Sequence, residues 1–146
     1  HTYMLDREQL IGQSKNLSEV FNGRAFMVQP FIEAVVTQGE YSLFYFNGHF
    51  SHAILKTPEQ GDFRVQEEHG GSLQPVEPDE EMLTQARHTM ASLPDDALYA
   101  RIDLLRYQDE YVVIEIELIE PSLYFNMDAN APANFVEAFV ESFGKG

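Results

Sequence analysis

Apolar residues dominate two runs, Gly39 to Phe46 and His49 to Leu55, that flank Asn47-Gly48. An Asn-Gly pair suits a type I′ turn, whose two central residues need positive φ, so these runs are predicted to form a β-hairpin. A second hairpin is predicted from Ala100-Arg101-Ile102-Asp103-Leu104-Leu105 and Val112-Val113-Ile114-Glu115-Ile116-Glu117-Leu118-Ile119, which are separated by the polar Tyr107-Gln108-Asp109-Glu110. A three-residue loop centred on Asp109 would pair Asp103 with Glu115 and Arg101 with Glu117. Alternation then places Ile102, Leu104, Ile114, Ile116 and Leu118 on one face and the four charged residues on the other.

Helical spacing appears elsewhere. Asp6 to Ile11 and Leu17 to Phe21 read as short helices, the second stopped by Asn22-Gly23. Pro78 to Leu93 has acidic residues in its first turn and apolar positions at Met82, Leu83, Ala86, Met90 and Leu93, as an amphipathic helix requires. Pro121 breaks the strand before it, and Phe135, Val136, Phe139, Val140 and Phe143 mark a final helix. Ala25 to Ile32 is predicted to be a buried strand whose end or edge is marked by Pro30, which cannot donate to a ladder. Gly61 to His69, ending at Gly70-Gly71, reads as an exposed irregular loop. The expected class is α+β, a mainly antiparallel sheet covered by helices, with residues 1–24 as a lead-in and 25–146 as one compact domain.

Composition changes this picture by exclusion. At 146 residues and 44% hydrophobic content, the chain can bury a core. A formal charge of −15 opposes attraction to polyphosphate backbones and anionic bilayers, so neither nucleic acid nor membrane is an expected partner. The absence of cysteine removes disulfides and thiolate metal sites, and no signal-like or membrane-spanning segment is present. A soluble, cytoplasmic protein is expected, with room for a homo-oligomer.

Candidate chemistry centres on Asp103, Glu115 and Glu117. Carboxylates facing one another across a strand pair repel unless something positive lies between them. Mg²⁺ is apt, being a hard cation that takes one or two carboxylates and completes its shell with water and substrate phosphates. The residues themselves leave a second reading open: a solvated strand face on an acidic protein, with Arg101 offsetting part of the repulsion.

The order of motifs resembles the C-terminal half of an ATP-grasp module, particularly prokaryotic glutathione synthetase and related small carboxylate ligases. The resemblance rests on Met27-Val28-Gln29-Pro30-Phe31-Ile32, Gly39-Glu40, Asn47-Gly48, Lys56-Thr57-Pro58, Gly61-Asp62-Phe63-Arg64, Gly70-Gly71, Arg101-Ile102-Asp103 and Glu115-Ile116-Glu117-Leu118-Ile119-Glu120-Pro121. It covers about Phe26 to Phe143.

That likeness implies an ATP- and Mg-dependent ligase, with Mn as an alternative metal, joining a small-molecule carboxylate to an amine through an acyl phosphate. Gln29, Pro30, Phe31 and Ile32 would line the adenine hinge, Glu40 would meet the ribose and Lys56 would reach phosphate or substrate. Arg64 would face the γ-phosphate or acyl phosphate. Asp103, Glu115 and Glu117 would hold metal, Glu117 standing where the family has an amide. The family's first lobe, with its strand lysines and glycine-rich phosphate loop, has no counterpart here, so residues 25–146 are expected to be a C-terminal lobe from a longer protein. Without the missing N-terminal lobe, the chain is expected to have little or no ligase activity. The alternative from another class is a stand-alone acidic module that binds metal or a partner without catalysis.

Overall fold

The computed structural model describes residues 3–59, 70–94 and 97–144. The chain divides into two compact units, His1–Phe31 and Ile32–Gly146. The first unit holds α1 (Arg7–Gly12) and α2 (Ser14–Val20). Asp6 starts α1 with a reciprocal cap: its carboxylate accepts from the Gln9 backbone at 2.7 Å, and the Gln9 side chain accepts from the Asp6 backbone at 3.0 Å.

The strand expected over residues 25–32 does not form. Residues 24–32 carry neither helix nor strand, and Met27 and Val28 are 86% and 84% exposed. A strand needs a neighbour to take its backbone N–H and C=O groups, and every strand among the described residues begins at Glu40 or later. Apolar composition and Pro30 could not supply that neighbour.

The second unit begins with a short helix, α3 (Ala34–Thr37), and builds a five-stranded antiparallel sheet. Its strands are β1 (Glu40–Phe46), β2 (His49–Thr57), β3 (Ser72–Pro75), β4 (Tyr99–Tyr107) and β5 (Glu110–Glu117), in the order β3-β2-β1-β4-β5. The Asn-Gly hairpin forms as expected, with φ of 47° at Asn47 and 81° at Gly48. β3 escaped prediction because it is only four residues long, ends in proline and follows the glycine pair.

Both hairpins contain a register shift. In β1–β2, Tyr45 pairs with Phe50 but Phe44 pairs with His52, so Ser51 is an extra residue. In β4–β5, the turn is Gln108-Asp109, one residue shorter than expected, yet Asp103 still pairs with Glu115 because Ile114 is bulged. Val113, not Ile114, therefore lies opposite Leu104.

One face of the sheet forms the core. Leu43, Tyr45, Ala53, Ala100, Ile102 and Leu104 pack with Met82 and Ala86 of α4 (Glu80–Met90). Asp79 caps α4, accepting from the Met82 backbone at 2.8 Å, while Glu80 and Glu81 complement the positive end of the helix dipole. No helix among the described residues is long and apolar enough to cross a membrane.

The opposite face is divided. Its apolar half holds Phe44 and Phe46, with Phe46 edge-on to Phe135 of α5 (Ala131–Phe143) at 5.3 Å between ring centroids. His52 stacks on Phe44 at 4.3 Å, with the planes 6° apart. Its Nε2 lies 3.1 Å from the Leu123 carbonyl and its Nδ1 3.1 Å from the Ser51 hydroxyl. Neutral His52 therefore donates to Leu123 and accepts from Ser51.

Burial pushes the His52 pKa down, against the Leu123 hydrogen bond and the Asp128 charge. Because the folded state binds the proton less readily than the unfolded one, this histidine's contribution is complete above its unfolded pKa, about 6.5, and is lost as pH falls below that value. Thermal melts from pH 7.5 to 5 should show a stability loss that is smaller in His52→Gln; equal losses in both proteins would remove His52 as the cause.

Candidate active site

The charged half of that face is a lattice written by register. One row across the sheet reads Ile54, Ser42, Asp103, Glu115; the next reads His52, Phe44, Arg101, Glu117. Lys56 pairs with Glu40 at the end of β1. Gly39 precedes this pair at φ +88°, where an added Cβ would lie 2.6 Å from the Lys56 carbonyl oxygen, so only glycine lets the two strands close here.

Asp103 is fully buried at the centre. Ser42 donates to its Oδ1 at 2.6 Å, and Lys56 donates to its Oδ2 at 3.3 Å. Arg101 donates from Nε at 3.0 and 3.1 Å and from Nη2 at 2.8 Å, gripping both oxygens. Lys56 also meets Glu40 at 2.7 Å, and Arg101 also meets Glu117 at 2.7 Å and Glu115 at 3.6 Å. The two cations are almost completely buried, whereas the Glu115 and Glu117 side chains are 56% and 30% exposed and form the open edge.

The titration shifts follow from these positions. Burial alone would raise Asp103, but the Lys56 charge, the Arg101 hydrogen bonds and charge, and the Ser42 hydroxyl outweigh it and hold the carboxyl below its ordinary range. Burial raises Glu40 in spite of Lys56, with Asp103 adding to the rise. Glu115 is raised by burial and then by Asp103 and Glu117, against the pull of Arg101 and Lys56. Thus the fully enclosed carboxylate is firmly ionised while its neighbours resist further negative charge.

The structure brings Asp103, Glu115, Glu117, Glu40 and Lys56 onto one face. Gln29, Pro30 and Phe31 belong to the first unit, and Ile32 opens the second. Arg64 lies outside the described residues. Sequence reasoning missed Ser42 and the full role of Arg101, which links three carboxylates instead of merely softening their repulsion. It also treated Glu40 and Lys56 separately, although they form an ion pair.

Four carboxylates against two cations leave this network negative, and among the described residues its open edge presents the carboxylates of Glu115 and Glu117. Charge and donor type therefore fit a hard divalent cation. Among the described residues, however, no group of three or more acidic or histidine side chains is arranged to hold a metal. Arg101 and Lys56 occupy the positions between the carboxylates.

No protein-family model matches the chain. Over 130 residues it is 30% identical to the cycloserine biosynthesis protein DcsG of Streptomyces lavendulae, an alignment covering 82% of this chain and 43% of DcsG. The crystal structure of D-cycloserine synthetase DcsG matches with a TM-score of 0.60 over 77% of this chain and 41% of that one. D-alanine–D-alanine ligase from Bacillus anthracis, solved with ATP, gives 0.62 at 17% identity, covering 95% of this chain and 47% of the ligase. The ATP-grasp ligase PsnB, solved with a precursor variant, Mg and ADP, gives 0.53 at 11% identity over 90% of this chain and 50% of its own.

The chain has an ATP-grasp fold.

It corresponds to a C-terminal ATP-grasp portion and spans less than half the length of DcsG. The expected α+β class, with helices on an antiparallel sheet, agrees with this fold. The likeness to glutathione synthetase is only approximate, because the similar proteins are a cycloserine synthetase and a D-alanine–D-alanine ligase.

Proposed function

We propose that this ATP-grasp chain supplies the metal- and phosphate-facing half of the nucleotide site in an ATP- and Mg-dependent ligase. The observation that carries this reading is the buried Asp103, held by Ser42, Lys56 and Arg101 beside the open carboxylates Glu115 and Glu117. Burying so many charges is costly and gives little net stability, which favours a functional reason for the network. The similar proteins support the direction: one was solved with ATP and another with Mg and ADP. The reaction proposed is transfer of the γ-phosphoryl group of ATP to a small-molecule carboxylate, releasing ADP, followed by attack of an amine on the acyl phosphate, which expels inorganic phosphate and loses the amine proton as the amide forms.

Asp103, Glu115 and Glu117 would hold Mg²⁺, with Mn²⁺ as a substitute. The bound metal supplies positive charge against the phosphoryl oxygens. Arg101 and Lys56 supply positive charge from the same face, and Ser42 keeps Asp103 in one orientation. Glu40 holds the Lys56 ammonium, so its proposed contact with ribose competes with a buried ion pair. Arg64 is assigned to the γ-phosphate or acyl phosphate, and Gln29, Pro30, Phe31 and Ile32 to the adenine hinge. A preceding ATP-grasp lobe would complete the nucleotide site.

Calorimetric titration of ADP into the full encoded polypeptide tests this reading. Mg²⁺ should strengthen ADP binding by about tenfold or more, equivalent to about 1.4 kcal/mol, and Glu115→Gln/Glu117→Gln should remove most of that gain. Equal ADP affinity in Mg²⁺ and in chelator would count against a nucleotide–metal site and favour an acidic module that binds metal or a partner alone.

A further inference from the structure

We propose that Arg101 and Lys56 are internal counter-ions that occupy the metal's place until nucleotide phosphates draw them off Asp103, so that metal and nucleotide bind as a couple. This rests on the nucleotide-site reading above and adds an exchange of partners within it. Oδ1 accepts from Ser42 and Arg101, and Oδ2 accepts from Lys56 and Arg101, so neither faces an empty position. A metal ion reaching Asp103 must displace a cation that is already hydrogen-bonded to it.

Each cation has a place to go. Arg101 is held by Glu117 as well as Asp103, and Glu117 lies at the open edge of the network. A guanidinium has five N–H donors, so it can turn toward phosphate oxygens while keeping part of its carboxylate contacts. Lys56 sits between Glu40 at 2.7 Å and Asp103 at 3.3 Å, and the longer contact is the one the exchange breaks. Ser42 stays on Asp103 throughout, because its hydroxyl is neutral and does not compete with a metal for charge.

The electrostatic balance sets the order. Metal alone would meet two buried cations close to its site, and their repulsion opposes binding. Nucleotide alone would bring negative phosphate beside Glu115 and Glu117, whose mutual repulsion already disfavours more negative charge. Together the two ligands cancel these penalties: phosphate takes up the arginine and lysine charge, and the metal takes up the released carboxylate charge. Reciprocal coupling between the two binding events is then required by thermodynamic linkage.

Mn²⁺ affinity, read from the electron paramagnetic resonance signal of free Mn²⁺, separates the alternatives without an activity assay. In the wild-type polypeptide Mn²⁺ alone should bind weakly and ADP should strengthen it by about tenfold or more. Arg101→Met should bind Mn²⁺ without ADP about tenfold more tightly than wild type and lose most of the ADP effect, with a circular-dichroism melt confirming that it is folded. Arg101→Lys, which keeps the charge but not the fork, should fall between them and serves if the methionine variant does not fold. Wild-type coupling combined with unchanged or weaker Mn²⁺ binding in both variants would overturn the exchange while leaving the nucleotide site standing. Absence of any Mn²⁺–ADP coupling in the wild type would overturn both.

Discussion

Asp103→Ala is expected to lower the unfolding free energy by about 3 to 5 kcal/mol, the usual cost of removing one partner from a buried ion pair. The substitution removes the acceptor for Ser42, Lys56 and both donor nitrogens of Arg101. Lys56 keeps Glu40 and Arg101 keeps Glu117, which should hold the loss toward the lower end of that range. Asp103→Asn preserves shape but turns an amide N–H toward cationic donors, so it should be intermediate. Urea denaturation at pH 7, with the slope unchanged, would measure these differences. A loss below about 1 kcal/mol for the alanine variant would mean that the network relaxes into water.

The comparison that gives this result functional meaning is removal of the network as a unit. Replacing Glu40, Lys56, Arg101 and Asp103 together by apolar residues of similar volume should recover much of the stability lost in Asp103→Ala. Buried ion pairs exchanged wholesale for apolar packing are often neutral or stabilising. A protein selected for stability alone has little reason to keep these charges inside. Retaining them makes sense when the face must receive charged ligands.

Much of this face was legible because strand alternation and turn chemistry are local. Asn47-Gly48 marked a hairpin, the acidic first turn and apolar spacing after Pro78 marked a helix, and a loop at Asp109 put Asp103 opposite Glu115. The bulges were not legible, and they decide the site. With the tight turn at Asn47-Gly48 and no extra residue, Glu40 would face Leu55; the extra Ser51 brings Lys56 opposite Glu40 instead. With the turn at Gln108-Asp109 and no bulge at Ile114, Asp103 would face Ile114, and Glu115 would turn toward the core. The expected three-residue loop produced the right pairing by counting one residue in the turn that the protein places in the strand.

Long-range order was illegible for a different reason. Nothing local states that β1 lies between β2 and β4, yet that order brings Ser42 to Asp103 and Phe44 to Arg101. Residues 25–32 show the converse error. Their composition suited a strand, but a strand is a relation between chain segments, and the described sheet begins later in the chain.

Phe44→Ala should cost about 3 to 5 kcal/mol, since truncating a buried phenylalanine loses its transfer free energy and leaves a cavity. Phe44 is fully buried, stacked on His52 and edge-on to Tyr124 at 6.2 Å between centroids. It is also the cross-strand neighbour of Arg101, at the boundary between the apolar and charged halves of the face. A cavity there loosens the support for His52 and admits water beside the guanidinium, raising the local dielectric and weakening the grip of Arg101 on Asp103. The loss in urea denaturation should therefore be accompanied by easier Mn²⁺ entry in the absence of ADP, because the counter-ion is held less firmly. Phe44→Leu, which keeps most of the volume, should lose less stability and leave Mn²⁺ binding near the wild-type value. If Phe44→Ala destabilises the fold but leaves Mn²⁺ affinity unchanged, the aromatic wall supports packing alone, and the grip on Asp103 is set within the ion-pair network.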